Sequence, residues 1–403
     1  MRILYFHQHF STPAGSTGTR SYAMCTKLIA CGHQVTLVCG RYDGGVTGLS
    51  HPFSSGMRCG QVDGIDVIEF DLAYSNSLSF FKRIFIFLLF SFRCIKVSLT
   101  VKYDILFATS TPLTVALPGI VARWILGKRF VFEVRDLWPE LPRAMGVIRN
   151  PILLWFLDSF ETLSYRSANK LIGLSPGIVK GISSKGVANN RIIAIPNGCD
   201  LDLFSIDLQY WRPANVHYSD FMAVFSGTHG EANGLDAVLS AASVLKKRQL
   251  SNIKIILIGQ GKLKSKLLER AKHEALDNVI FHDPVTKGRL AGLMSAADLG
   301  LQVLANIPSF YYGTSPNKFF DYISAGLPVL NNYPGWISDL IGQHQCGFSV
   351  PPDDPEAFAD ALEFAAANSD ALKIMGYNAR KLAETQFDRN ILSDAWVEWV
   401  TEE

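Results

Sequence analysis

The stretch Tyr311-Tyr312-Gly313-Thr314-Ser315-Pro316-Asn317-Lys318-Phe319-Phe320-Asp321-Tyr322-Ile323-Ser324-Ala325-Gly326-Leu327-Pro328-Val329-Leu330 reads as a loop, a helix and a short buried strand. Ser315 is a candidate N-cap with Pro316 at the first helical position, and Gly326 suits the residue just past the helix end. Leu327 to Leu330 is an apolar run closed by Asn331-Asn332. A helix start presents free N–H groups and a positive dipole end, which favour an anion. Lys318 places a full positive charge in the first turn, where the dipole alone would favour Asp or Glu, and that placement points to phosphate. Asp321, one turn on, projects on nearly the same face and can accept a hydrogen bond from a sugar hydroxyl. An ordinary αβ unit of any α/β protein is the alternative.

Working outward, the same βα rhythm fills the chain. Ile3 to Phe6 is a short apolar run, followed by a loop with Gly15 and Gly18 and a helix from about Thr19 to Ala30. Strand-like runs at Gln34 to Cys39, Ile105 to Ala108, Phe130 to Val134, Lys170 to Leu174 and Ile192 to Ile195 alternate with helical segments, as in a parallel doubly wound sheet. Met57 to Phe70, two runs around Asp63-Gly64, reads as a hairpin added on an edge. The rhythm stops at Ile195-Pro196-Asn197-Gly198-Cys199-Asp200 and resumes at Met222 to Phe225, Ile253 to Ile258, Val279 to His282, Leu299 to Val303 and Pro328 to Leu330. The expected organisation is an α/β chain with two Rossmann-like doubly wound domains. They would span 1–198 and 221–385, with a linker over 199–220 and a C-terminal helix in 386–403 packing back on the first domain.

Composition sets bounds on function. A chain of 403 residues with 48% hydrophobic side chains can fill two cores. A net charge of +2 gives no basic surface on the scale that nucleic acid requires, so no nucleic-acid partner is expected. Seven scattered cysteines without C-x-x-C spacing read as thiols in a reducing cytosol, with neither a zinc site nor a disulfide framework. The first residues enter a strand at once and lack a signal peptide's apolar core, so a cytoplasmic protein is expected. His7 and His9 follow the first strand, but no third ligand stands at suitable spacing, and no metal or cofactor is expected.

Open α/β sheets bind ligands beyond the carboxyl ends of their strands, which directs attention to four loops. Ser226-Gly227-Thr228-His229-Gly230-Glu231-Ala232-Asn233-Gly234 follows the first strand of the second half, and its glycines allow close backbone approach to a diphosphate. Gly259-Gln260-Gly261 follows the next strand, and His282-Asp283-Pro284 the one after. In the first half, Arg135-Asp136-Leu137-Trp138-Pro139-Glu140 packs polar groups into a strand end, which is costly unless they face a polar cleft or pair with each other. The glycine loop before the first helix offers Gly18, Thr19 and Arg20, with Arg20 its most useful charge and a plain helix cap the alternative.

The 311–330 stretch resembles the donor-binding segment of the large retaining family of GT-B glycosyltransferases usually called family four. There a Gly-Phe-Gly-like loop leads into a helix reading Glu-Ala-Met-Ala-x-Gly-x-Pro-Val. Aligning Ala325-Gly326-x-Pro328-Val329 puts Asp321 on the second glutamate of that family's E-x7-E motif, the residue that holds the ribose. The first glutamate falls on Gly313, so its contact to the transferred sugar is absent here. Thr228 and Asn233 stand where the family has an Arg and a Lys that clamp the diphosphate, which makes Lys318 the replacement cation. Ser-Pro-Asn-Lys followed by Phe-Asp-Tyr looks like the branch that builds bacterial surface polysaccharides, including N-acetyl-L-fucosamine transferases of O-antigen synthesis.

The resemblance implies a GT-B fold whose domains face across a cleft, with the acceptor on the first domain and the nucleotide-sugar on the second. It implies donor contacts from Gly227, Thr228, Asn233, Gly259, Gly261, Pro284, Ser315, Asn317, Lys318 and Asp321. Acceptor contacts fall to Gly18, Thr19, Arg20, Arg135 and Glu140, and the catalytic roles to Arg135, Asp136 and Lys318. Arg135 stands where much of the family has a histidine, and an arginine cannot shuttle protons at neutral pH. The implied reaction is metal-independent, retaining transfer from a UDP-sugar before a GDP-sugar to an undecaprenyl-diphosphate-linked acceptor. A hexosamine-nucleotide 2-epimerase and a non-catalytic sugar-nucleotide-binding partner are the rivals. Finally, Leu78 to Val101 holds an apolar core of only seven residues, Ile84 to Phe90, bracketed by Lys82, Arg83, Arg93 and Lys96. It is too short to span a bilayer and reads as an interfacial helix on the anionic inner leaflet, or as a buried helix with basic ends.

Overall fold

The computed structural model describes residues 1–75, 77–204 and 210–402. They form two compact units: Met1–Pro196 with Tyr312–Ser315 and the chain from Asn390 on, and Asn197–Tyr311 with Pro316–Arg389. In the first unit, β1 (Arg2–Phe6), β2 (Gln34–Tyr42), β3 (Met57–Val62), β4 (Ile65–Tyr74), β5 (Ile105–Thr109), β6 (Arg129–Val134), β7 (Lys170–Gly173) and β8 (Ile192–Ala194) make one sheet in the order β3-β4-β2-β1-β5-β6-β7-β8. All its pairs are parallel except β3 with β4, the expected edge hairpin. Its turn needs two residues at positive φ, and Asp63 at 49° followed by Gly64 at 82° supplies them.

Both faces of this sheet are covered, and its central strands are therefore almost continuously apolar; every residue of β5 is buried. Leu4, Phe6, Leu106 and Phe132 point to one core, while Ile3, Tyr5, Phe107 and Val131 point to the other. The helix Arg389–Thr401 belongs to this second core through Trp396, Val397 and Val400. This C-terminal helix starts at Arg389.

In the second unit, β9 (Phe221–Ser226), β10 (Ile253–Ile258), β11 (Val279–His282), β12 (Leu299–Gln302), β13 (Val329–Asn331) and β14 (Gly347–Ser349) form an all-parallel sheet ordered β11-β10-β9-β12-β13-β14. The sequence reading misses β14, whose Gly-Phe-Ser carries too little apolar signal. It also treats 199–220 as a linker, whereas the described parts of that stretch are built into the second unit. Cys199 N donates to Phe387 O at 2.7 Å, Arg389 pairs with Asp200, and Arg212 donates to Ala296 O at 3.2 Å. Residues 205–209 of the expected linker lie outside the described residues.

Candidate active site

The helix that decides the fold runs over Asn317–Ser324 and differs at both flanks from its sequence reading. Tyr311 to Gly313 are helical, not loop, as the end of a short helix Pro308–Gly313. The N-cap is Pro316 in an extended conformation, without a side-chain cap bond, so Ser315 is not the cap. Gly326 has φ 66° and sits just beyond the C-cap Ala325, as expected. Tyr322 anchors the helix under β9 and β12: its hydroxyl donates to Leu301 O and accepts from Ser226 N, both at 3.2 Å. Gly300 makes room, since a Cβ there would lie 2.5 Å from the Tyr322 ring.

The loops after β9 and β10 pack backbone on backbone. Gly227 N donates to Ile258 O at 3.0 Å and His229 N to Gln260 O at 2.9 Å. A Cβ on Gly259 would lie 1.8 Å from Gly227 O, and one on Gly261 2.5 Å from His229 O. These glycines therefore serve the approach of loop to loop, and Gly227 at φ 154° brings the chain against the Lys318 side chain.

Lys318 meets Asn233 there. Its Nζ donates to Asn233 Oδ1 at 2.7 Å and lies 4.6 Å from the centre of the Phe225 ring, while Asn233 Nδ2 donates to Thr228 O at 2.7 Å. No carboxylate pairs with Lys318 among the described residues. A half-buried ammonium with only an amide and a ring for company is poorly solvated, and burial pushes its pKa down to about 7. Thr228, Pro284 and Asn317 are exposed, and of these Thr228 and Asn317 adjoin this group.

Asp321 is 8% exposed, and Lys287 Nζ donates to both its oxygens at 2.8 and 3.0 Å. Lys264 donates to Gly259 O at 2.9 Å, His282 O at 3.2 Å and Asp283 Oδ1 at 2.7 Å, tying the ends of β10 and β11 together. The sequence reading misses Lys287 and Lys264, because single lysines at helix starts far away in the chain carry no local signal. His229 is fully buried between Phe225 and Phe281, and burial pulls its pKa down to about 4.

In the first unit the structure overturns the role expected of Arg20. Its side chain is 2% exposed and donates to Glu133 Oε2 at 3.0 and 2.9 Å, to Ile195 O and to Pro196 O. Glu133 also accepts from Thr109 and from Trp396 Nε1. Burial alone would raise the Glu133 carboxyl, but the adjacent Arg20 guanidinium brings it below the usual range. Arg20 is thus a core ion pair. Gly18 and Thr19 stay half-buried beside it, and Glu140 is exposed in the first turn of the helix Glu140–Ala144.

Arg135 and Asp136 form no ion pair with each other among the described residues. Arg135 Nη1 lies 3.4 Å from His7 Nε2, and Asp136 accepts from Thr111 Oγ1 at 3.0 Å. Burial raises the Asp136 carboxyl and lowers His7 well below its ordinary value, with Arg135 adding to the latter. His9 stacks between Tyr42 and Tyr74 and is pushed down to about 3 by burial. Among the described residues, no group of three or more His, Cys, Asp or Glu could hold a metal ion.

The expected interfacial helix spans Phe80–Thr100, and no helix among the described residues is long and apolar enough to cross a membrane. Two of its four basic residues turn inward: Arg83 bonds Tyr74, and Arg93 donates to Gly56 O at 3.0 Å and lies over the Phe70 ring. Lys82 and Lys96 are exposed with Phe81, Phe85, Leu88 and Phe92. The helix Ala116–Trp124 packs against it and against the helix Pro151–Ser167, and these bring exposed Trp124, Ile152, Trp155 and Phe156.

Comparison with known proteins agrees with this arrangement. Residues 15–198 match the family described as glycosyl transferase 4-like domain, and residues 211–382 match glycosyl transferases group 1. The chain is 22% identical over 272 residues to the probable glycosyltransferase WbjE of Pseudomonas aeruginosa, covering 64% of this chain and 65% of the relative. It is 22% identical over 267 residues to the O-antigen chain mannosyltransferase C of Escherichia coli, covering 63% of this chain and 66% of the relative. The match thus spans just under two thirds of those relatives' length. HepE of Anabaena, solved in complex with UDP and glucose, superposes with a TM-score of 0.70 at 15% identity, covering 100% of both chains. One matched segment falls in each Rossmann-like unit, and the chain belongs to the group 1 glycosyltransferases of the GT-B fold.

Proposed function

We propose that the chain is a glycosyltransferase that moves a sugar from a nucleotide-sugar, UDP-linked before GDP-linked, to a lipid-linked glycan during O-antigen or capsule synthesis. The observation that carries this reading is Lys318, a cation at a helix start whose partners are all neutral. A diphosphate supplies the charge such an ammonium lacks, and the positive end of the helix Asn317–Ser324 adds to the attraction. Lys318 then stabilises the negative charge that grows on the leaving phosphate. Asp321 shares its carboxylate between Lys287 and a ribose hydroxyl, and the backbone around Gly259, Gly261 and Pro284 lines the base. The lipopolysaccharide context is supported by the O-antigen relative, and UDP by the HepE complex.

In this reading transfer is metal-independent and retains configuration. The acceptor oxygen attacks the anomeric carbon on the face the phosphate leaves, the carbon–phosphate-oxygen bond breaks, and the departing phosphate takes the acceptor's proton. Arg135 and Asp136 position the acceptor and the transferred sugar, which on the resemblance is an N-acetylated deoxyhexosamine. The exposed apolar face of the three helices, with Lys82 and Lys96, rests on the anionic inner leaflet, which makes the protein cytoplasmic and peripheral.

The test is incubation with a panel of UDP- and GDP-sugars, with and without lipid-linked acceptor from a surface-polysaccharide-producing bacterium. Transfer with an α-linked product from an α-linked donor is the expected outcome. An epimerised donor, or nucleotide binding without turnover on any acceptor, replaces the reading with one of its rivals. For Asp321→Asn we expect donor affinity to fall by ~1–3 kcal/mol with the fold intact; unchanged affinity removes Asp321 from the site.

A further inference from the structure

With Arg20 spent inside the core, the glycine loop that precedes it loses its expected charge for the acceptor, and a different part of the first unit offers a recess. A cavity of ≈ 520 Å³ opens at the carboxyl ends of β2 and β4, lined among others by Arg41, Tyr42, Thr47, Arg58, Glu69 and Tyr74. Its size lies within the ~300–1,000 Å³ of small-molecule sites, and the carboxyl end of parallel strands is where open α/β sheets hold ligands.

The chemistry of the walls narrows the ligand. Arg58 Nε donates to Glu69 Oε2 at 2.8 Å, Thr47 Oγ1 donates to the same oxygen, and Arg41 pairs with Asp71 at 2.7 Å. Each cation is matched by a carboxylate, so the cavity has no surplus positive charge to hold a phosphate. Glu69 is only 2% exposed, yet its recorded bonds all fall on Oε2, and Oε1 makes none among the described residues. That oxygen is not one of the chain's sealed, unpartnered atoms, so it opens on the cavity with capacity left to accept from a donor that enters. Hydroxyls are such donors, and the phenols, guanidinium edges and Thr47 around them can answer a ring that presents both donors and acceptors.

The neighbouring loops explain why the recess persists. Thr12 N and Oγ1 both donate to Val46 O at 2.8 Å, Val46 N donates to Ser11 Oγ at 3.1 Å, and Ser16 N to Gly44 O at 3.0 Å. Gly15 permits this, because a Cβ would fall 2.2 Å from Ser11 Oγ and 2.9 Å from Gly44 O. The loop after β1 therefore buttresses the wall formed by residues 43–47. Leu78, on another wall, lies two residues before the helix Phe80–Thr100 with its exposed Phe81 and Phe85.

We propose that this cavity is a subsite for an uncharged glycan, with Glu69, Arg58, Thr47 and Arg41 reading its hydroxyls. The inference rests on the transferase reading, for which it supplies the acceptor's sugar end, with any lipid portion continuing along the Phe80–Thr100 face. The experiment uses the full chain and saturation-transfer NMR with a panel of free disaccharides containing hexoses, 6-deoxyhexoses or N-acetylhexosamines, while calorimetry follows UDP. Ala73→Trp fills the cavity from an exposed strand position, and Arg41→Ala removes an exposed donor. We expect at least one disaccharide to show transfer from the unmodified protein and both variants to weaken it roughly tenfold or more, with UDP affinity unchanged. Undiminished signal in Ala73→Trp, silence of the whole panel on the unmodified protein, or displacement of the disaccharide by inorganic phosphate would each overturn the subsite. Glycan binding that disappears in Ala73→Trp, in a protein that binds no UDP- or GDP-sugar, would keep the subsite and sink the transferase reading instead.

Discussion

Arg20 and Lys318 look alike in the sequence, and the structure treats them in opposite ways. Each is a lone cation at the start of a helix that follows a glycine-containing loop, one in each unit. Arg20 is consumed by the Glu133 carboxylate and two carbonyls in a dry core. Lys318 finds, among the described residues, only an amide oxygen and an aromatic ring. The difference teaches that a helix-start cation becomes a ligand group only where the fold withholds a carboxylate from it. Burial with a partner fixes charge, whereas burial without one leaves a group waiting for an anion, at the cost of a depressed pKa.

The comparison is easiest to break from the Arg20 side, where the largest effect is expected. Arg20→Ala leaves Glu133 buried and uncompensated, which should cost ~3–5 kcal/mol of stability in denaturant unfolding. UDP affinity per folded molecule should not change. A stable variant with weakened ligand binding would put Arg20 back in the site.

Lys318→Ala should weaken UDP by ~1.5–3 kcal/mol and leave uridine almost untouched, because the lost interaction is charge-assisted and aimed at phosphate. Equal losses for both ligands in titration calorimetry would refute the role. The same lysine predicts a pH dependence. Its folded value of about 7 lies below the ordinary 10.5, so above pH 7 the free protein must take up a proton to meet the anion. UDP affinity should fall by up to about tenfold per pH unit from there, and the slope should vanish in Lys318→Ala. Between the two values the unfolded chain holds the extra proton, so the ligand-free protein gains stability as pH rises.

The smallest effect belongs to cations that remain in solvent. Lys82→Gln with Lys96→Gln should cost ~1 kcal/mol of vesicle attraction per charge, seen as release from anionic liposomes and reproduced by salt. Binding of Arg83→Gln and Arg93→Gln proteins to the same liposomes should stay near normal, because those side chains are engaged inside the unit. Loss of equal size in both pairs would mean that the inward pair also reaches the lipid surface.

What the sequence by itself determined is what depends on neighbours along the chain. The βα rhythm, the Asp63-Gly64 hairpin and the positive φ at Gly326 all follow from local periodicity and turn chemistry. The three-residue β14 escaped because so short a strand is defined by its partner β13 and not by its own residues. Which charges are free was a matter for tertiary structure alone. Glu133 lies 113 residues from Arg20, Lys287 lies 34 from Asp321, and Asn233 lies 85 from Lys318. Coulomb energy and desolvation depend on distance in space and on the surrounding dielectric, and neither is written in the order of the residues.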